Sequence, residues 1–232
     1  MLKYRIIDIK VEPDQVKILK MEPAEEGMQI MHEPGQFIMM HLLDEKGRSL
    51  DKRPYSITSA PGERILEFCI KMIGGKFTSK IDKLKKGGMV GIEGPMGHFI
   101  YEGDKCVFIC GGTGIAPVMS MVRDIAKKEK RGSYFLFYSA RKKDSLVYFD
   151  ELNGLAKKNP GLKVVYTLTR EEPEGWAWKC GRIKEELLRE YVVKPSEFKW
   201  YVCGPLEMTR TLKECIIGMG AKEDKVHFEG WG

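Results

Sequence analysis

Residues 106–117 read CVFICGGTGIAP, an apolar run (Cys106–Cys110) followed by Gly111, Gly112, Thr113, Gly114, Ile115, Ala116 and Pro117. A short apolar run without polar alternation fits a strand covered on both faces. The glycines let backbone approach a ligand closely, and the helix expected next offers free N–H groups and the positive end of its dipole. That geometry suits a pyrophosphate. The stretch is neither Gly-x-Gly-x-x-Gly nor a Gly-Lys-Ser/Thr phosphate loop. By itself it reads equally as a dinucleotide site or as a tight turn.

Toward the C-terminus the pattern becomes strand–helix alternation. A helix is expected from Pro117 to Lys130, then the strand SYFLFYSA, a helix near Phe149–Asn159 and the strand LKVVYTL. RIKEELLREYV reads as a helix, KWYVC as a strand and LEMTRTLKECIIGMG as a helix. Buried strands alternating with amphipathic helices predict a parallel doubly wound sheet. Toward the N-terminus the runs are short and β-like: YRIIDIKV, QVKILKM, GQFIMMHLL, YSITSA, ILEFCIKMI and MVGIEG, punctuated by glycine and proline. These predict an antiparallel sandwich or barrel. One short helix, TSKIDKLKKG, interrupts it, with Thr78 as N-cap and Gly87 as its stop. The expected fold is therefore a two-domain β plus α/β chain, with an antiparallel domain over 1–101 and a parallel α/β domain over 102–232.

The chain has 232 residues, a net charge of +6, 43% hydrophobic and 31% charged residues. That balance fits a soluble globular protein and excludes a disordered or fibrous one. No run approaches the ~18 apolar residues of a membrane span. The first apolar stretch, MLKYRIIDIKVEP, is broken by charges and lacks a signal-peptide core, so a cytoplasmic location is expected. Cysteines 69, 106, 110, 180, 203 and 215 show no Cys-x-x-Cys spacing and no plant-type iron–sulfur spacing, and no metal site is expected. Basic pairs recur without a long basic block, so nucleic acid is not expected as a partner.

Three further segments carry chemistry. In Arg53-Pro54-Tyr55-Ser56 the arginine suits a phosphate and the tyrosine offers an aromatic face, although a surface arginine and a core tyrosine fit the same letters. Gly74-Gly75-Lys76-Phe77-Thr78 again opens a helix with backbone N–H groups. Cys203-Gly204-Pro205 ends a strand, where parallel α/β sheets gather ligand contacts.

In this order, across the change of pattern, the four segments resemble the ferredoxin–NADP reductase superfamily over nearly the whole chain. The resemblance implies a flavin-binding antiparallel β-barrel followed by a nicotinamide-nucleotide domain. It would give Arg53 the flavin phosphate, Tyr55 a stacking role and Ser56 a hydrogen bond to flavin N5. Lys76 and Phe77, with Gly75, would offer backbone N–H groups and Thr78 a hydroxyl, while Ile70, Lys71 and Met72 would line the ribityl chain. Gly94–Phe99 resembles the loop closing the barrel, with His98 structural. Gly111, Gly112, Thr113, Gly114 and Pro117 would receive the nicotinamide nucleotide, with Thr113 near both ring systems. Cys203, followed by Gly204 and Pro205, would lie beside the nicotinamide ring. Ser56, Thr113 and Cys203 are the implied catalytic residues.

The implied reaction is hydride transfer from NAD(P)H to bound FAD, with FMN the less common variant, then electron release to ferredoxin, flavodoxin or an oxygenase component. Proximity would supply most of the catalysis. NADPH is favoured over NADH, because Arg141-Lys142-Lys143 and Arg170 follow the second and third strands and no acid ends the second. Trp231 or Phe228 would cover the flavin. No cysteine-bearing tail for a cluster follows within these residues, so a single-step donor to a separate protein is expected. Two alternatives are a free-flavin reductase and a non-catalytic nucleotide-sensing subunit of the same fold.

Overall fold

Apolar–polar alternation along the first hundred residues produces six strands: β1 (Leu2–Glu12), β2 (Val16–Pro23), β3 (Phe37–Leu43), β4 (Ser49–Ser56), β5 (Leu66–Lys71) and β6 (Met89–Met96). They pair antiparallel in the order β4-β3-β6-β1-β2-β5. Tyr4, Leu19, Met40, Phe68 and Ile92 point inward to one core. The two edges approach each other just past β4, where Ile57 bridges to Phe68 and the Thr58 N–H donates to the Glu67 carbonyl at 2.9 Å. This is the computed structural model of the chain, and it describes residues 1–231 apart from Lys130.

Two local expectations change here. The strand expected over Tyr55–Ala60 lies upstream, at Ser49–Ser56, because Phe37–Leu43 pairs with that segment. The short helix, α1, spans Lys76–Lys83, with Gly75 as N-cap and Leu84 as C-cap. Burial of Phe77 and Ile81, one turn apart, sets its phase. Thr78 therefore sits inside the helix, its hydroxyl donating to the Gly75 carbonyl at 3.3 Å, and Gly87 lies beyond the end.

The second half contains β7 (Lys105–Gly111), α2 (Ile115–Lys127), β8 (Ser133–Ala140), α3 (Phe149–Lys158) and β9 (Leu162–Leu168). It continues with β10 (Lys179–Cys180), α4 (Glu185–Tyr191), β11 (Lys199–Pro205), α5 (Leu206–Gly218) and β12 (Val226–Trp231). Its sheet is parallel throughout, in the order β10-β9-β8-β7-β11-β12. The chain winds outward from β7 on one side and from β11 on the other, so the order reverses between these strands. At such a switch point the strand ends splay and leave a ligand crevice. Helix α2 begins at Ile115, two residues before the expected Pro117, after a 3₁₀ turn over Gly112–Gly114. The expected end at Lys130 lies outside the described residues. The helix expected over Arg182–Val192 is shorter, Glu185–Tyr191, and strands β10 and β12 were not anticipated.

By backbone packing the chain forms two compact units. One is Met1–Ile100 with Met119–Asp124, and the other is Tyr101–Val118 with the chain from Ile125 onward. Within the first, the Arg123 guanidinium donates to the Glu67 carboxylate at 2.8 Å and to the Thr58 carbonyl at 2.9 Å. Such a buried pair leaves an uncompensated charge if either partner is removed.

Candidate functional site

In the first unit, β4 carries Arg53, Tyr55 and Ser56 past the start of α1. The Tyr55 and Phe77 rings lie 5.9 Å apart between centroids, and the Arg53 guanidinium carbon is 5.9 Å from the Phe77 ring centre. Two segments separated by about twenty residues thus form one patch. No acidic residue lies in the first turn of α1 and no side chain caps it. The N–H groups of Lys76, Phe77 and Thr78 have no partner within the helix, because the first turn has no preceding carbonyls. Gly74, at φ +73°, turns the chain into this helix with open space where a side chain would stand. Arg53 is exposed and donates to the Asp51 carboxylate at 2.7 Å and the Lys52 carbonyl at 2.6 Å. A phosphate would compete with Asp51 for it.

Tyr55 is half-buried, and burial pushes its hydroxyl up to about 12 against the opposing pull of Arg53. It stays neutral at ordinary pH and offers a flat aromatic face. Ile70, Met72 and Phe77 are buried in the core, so only their backbone can face a ligand, whereas Lys71 is exposed. The donor set matches what a flavin dinucleotide requires: cations and N–H groups for a pyrophosphate dianion beside an aromatic face for a ring.

In the second unit, Gly111–Gly114 leaves the C-terminal end of β7 beside the end of β11, with Cys110 opposite Cys203. The packing is tight. A Cβ on Gly114 would run into the Cys203 carbonyl and lie 3.0 Å from the Trp231 ring, and one on Gly111 would meet the Met208 sulfur at 2.8 Å. Gly112, at φ +55°, has open space around it. Cys203 is wholly buried, and burial pushes its thiol well above the ordinary range, with the Glu229 carboxyl adding to the effect. A neutral thiol is a compact, polarisable contact, not a nucleophile. Strand β12 pairs Cys203 with Glu229, Gly204 with Gly230 and Pro205 with Trp231. Trp231 is 40% exposed. Phe228 packs on the sheet core, with the Lys213 ammonium 5.7 Å over its ring.

Sequence reading missed Glu229. Burial raises its carboxyl to about 7, so it changes charge near neutrality. The visible signal was alternation in Val226–Trp231, which sets Glu229 level with Cys203 once that segment is a strand.

At the ends of β8 and β9 the two expected arginine loops are adjacent: the Arg170 N–H donates to the Arg141 carbonyl at 3.0 Å. Beside them opens a cavity of about 210 Å³, lined by Ser139, Thr169, Arg182, Pro205, Glu207 and Met208, among others. Arg182 pairs loosely with Glu207 at 3.7 Å on the exposed rim. Sequence reading missed this arginine as well. Among the described residues, no cluster of three or more His, Cys, Asp or Glu side chains could hold a metal, and no helix is long and apolar enough to cross a membrane.

Comparison with known proteins finds two family matches along the chain. Residues 3–101 match the oxidoreductase FAD-binding domain and residues 108–214 the oxidoreductase NAD-binding domain. An NADPH nitrate reductase of Emericella nidulans is 30% identical over 222 residues, covering 84% of this chain and 25% of that protein. An NADH nitrate reductase of Phaseolus vulgaris is 30% identical over 212 residues, covering 80% of this chain and 24% of that protein. The chain therefore spans about a quarter of the length of these relatives. Among solved structures, the flavohem-like FAD/NAD-binding domain of a nitric oxide dioxygenase from Vibrio cholerae superposes with a TM-score of 0.89 at 22% identity, covering 100% of this chain and 98% of that one.

Proposed function

The chain belongs to the ferredoxin–NADP reductase superfamily, joining an oxidoreductase FAD-binding domain to an oxidoreductase NAD-binding domain, and we propose that it is an NAD(P)H-dependent flavoprotein reductase serving a separate electron-acceptor protein. The observation that carries this reading is the pair of glycine-opened helix starts, one in each unit and neither with an acid in its first turn. Each offers N–H groups to a phosphate, as a flavin dinucleotide and a nicotinamide nucleotide together require.

When bound, the flavin supplies the chemistry, accepting two electrons as hydride and giving them up singly. The chain's own residues bind and orient. Arg53 and the N–H groups of Lys76–Thr78 hold the cofactor's phosphates, Tyr55 flanks its ring and Ser56 hydrogen-bonds the ring edge. Gly111, Gly112, Thr113 and Gly114 seat the nucleotide phosphates by close backbone approach. Cys203 would lie beside the nicotinamide, with Trp231 near it against Gly114. Glu229 lies level with Cys203 across the β11–β12 pair, with its carboxyl raised to about 7 by burial. Arg141, Arg170 and Arg182 meet the ribose end, and with no acid at the end of β8 they favour the 2′-phosphate of NADPH.

The test is an anaerobic visible spectrum of the purified protein before and after NADPH or NADH. The expected result is a flavin band that bleaches, faster with NADPH. Faster bleaching with NADH overturns the nucleotide preference alone. A colourless protein that reduces added free flavin overturns the bound-cofactor reading in favour of a diffusible-flavin reductase.

A further inference from the structure

At the end of β4 away from Ser56 lies a hydrogen-bonded series that the reductase reading does not use. Met40 and Leu42 point into the core of the first unit, so alternation turns His41 to the outer face of β3. Its ring is still only 6% exposed. Gly91 stands opposite it on β6, and the Met1 side chain fills the space that a Cβ there would take. Ser49 Oγ lies 2.8 Å from His41 Nδ1, and Glu93 Oε2 lies 3.0 Å from His41 Nε2. Lys52 donates to the same Glu93 oxygen at 3.2 Å. Hydrogen bonds from Lys52 and then His41 hold the Glu93 carboxyl below its ordinary range, so it stays ionised. An ionised acceptor at Nε2 places the ring proton there and leaves Nδ1 to accept from the serine hydroxyl.

The backbone brings the serine to this ring. In the β3–β4 register, Lys52 stands opposite His41, Asp51 opposite Leu42 and Ser49 opposite Leu43, so Leu50 is an extra residue in β4. Without that bulge, alternation would put Leu50 on the outer face and turn Ser49 inward. With it, Ser49 shares the face of His41. The turn before Ser49 is pinned as well. The Asp44 carboxylate accepts from the Lys46 N–H at 2.9 Å, the Arg48 N–H at 2.8 Å and the Arg48 guanidinium at 2.8 Å. A buried histidine needs two partners of any kind. That need explains neither an exposed hydroxyl on one nitrogen nor an ionised acid on the other. A hydroxyl, a base and an orienting acid within hydrogen-bond reach are the arrangement of an activated nucleophile.

We propose that Ser49, His41 and Glu93 form a second, hydrolytic site, made of residues outside those assigned to flavin and nucleotide, that cleaves small acyl esters of phenols. Ser49 Oγ bonds to the acyl carbon while its proton passes to His41 Nδ1, and the phenol leaves with that proton. Water, deprotonated by the same nitrogen, then releases the carboxylic acid and restores the serine. Glu93 is a positioning residue that fixes the tautomer and orientation of the ring. Leu50, next after the nucleophile and outside the ladder, offers its N–H to the ester carbonyl oxygen. Its side chain, 57% exposed, offers an apolar contact to the acyl or aryl group. A single such donor on an open strand face makes this a slow esterase. No step uses flavin or nucleotide, so the site stands or falls apart from the reductase reading.

The test uses the whole purified protein, with p-nitrophenyl acetate as substrate and an alkyl fluorophosphonate as covalent probe. The expected result is a burst of p-nitrophenolate and a fluorophosphonate adduct that peptide mass analysis places on Ser49. Ser49→Ala should slow the burst about a hundredfold and abolish the adduct, while flavin content does not change. Glu93→Gln should slow acylation about tenfold with KM unchanged, a split that loss of a merely structural contact does not give. An adduct on another residue overturns the proposal, as does a wild type that takes no adduct. Ester cleavage equally fast in wild type and Ser49→Ala overturns it too. The adduct is read on the wild-type chain and so needs no variant to fold.

Discussion

The loop entering α1 and the loop entering α2 both open on glycine with no acid in the first turn, yet their surroundings are opposite. Around Gly74 and Gly75 there is open space, an arginine within reach of the helix start and a lysine at its first position. At Gly111 and Gly114 a Cβ would meet backbone or side chain, while Gly112 between them is open. Cations beside free N–H groups attract an anion by charge. A neutral, close-fitted backbone selects by shape and lets go more readily. On the function proposed above, the first arrangement suits a resident cofactor and the second a substrate that must come and leave.

The sharpest way to break this contrast is to add one methyl group to each loop. Gly114→Ala, which drives a Cβ into the Cys203 carbonyl, should cost about 3 kcal/mol of stability in urea unfolding. Gly74→Ala meets nothing and should cost about 1 kcal/mol, the strain of its left-handed backbone. Equal costs would mean that packing does not distinguish the loops.

Arg53→Ala should weaken flavin binding by about 2 kcal/mol, close to thirtyfold, as a lost charge-assisted hydrogen bond predicts. Equilibrium dialysis measures it. Undiminished affinity would assign the phosphate to the helix N–H groups alone.

A smaller effect is expected at Glu229. Its carboxyl is raised in the folded chain to about 7, so the favourable contribution of its protonated form is complete below the unfolded value near 4.5 and is lost as pH rises through 7. Glu229→Gln should therefore match the wild type at low pH and exceed it above neutrality by about 1–2 kcal/mol, allowing for partial exposure. Thermal unfolding across that pH range decides it, and a constant difference at all pH values would contradict the assignment.

The smallest expected change is kinetic. Cys203→Ala should slow flavin reduction by less than about tenfold while leaving the flavin bound, since a neutral thiol contributes contact, not bond chemistry. Stopped-flow rates that match the wild type would remove Cys203 from the reaction.

These contrasts also mark what could be read before folding. The glycine loops, the Arg53–Ser56 segment and the change from β-runs to strand–helix alternation were legible because each depends on local backbone freedom or on periodicity, which residues carry with them. Boundaries were less legible. Thr78 has the chemistry of an N-cap, but burial of Phe77 and Ile81 moved the helix start upstream. The strand assigned to Tyr55–Ala60 moved to Ser49–Ser56 because its partner β3 pairs there. Arg182 was invisible as a rim residue because only the folding of distant strand ends creates the rim.

Sequence alone determined the two-part architecture and the glycines that open two of its helices, since hydrophobic period and glycine content act within a few residues. Tertiary structure decided the rest. The pairing of β12 with β11 packs Phe228 on the sheet core and brings Trp231 against Gly114. The same pairing sets Glu229 opposite Cys203 and raises its carboxyl. Strand register is a long-range choice made by sheet partners, and a one-residue slip would exchange the two faces.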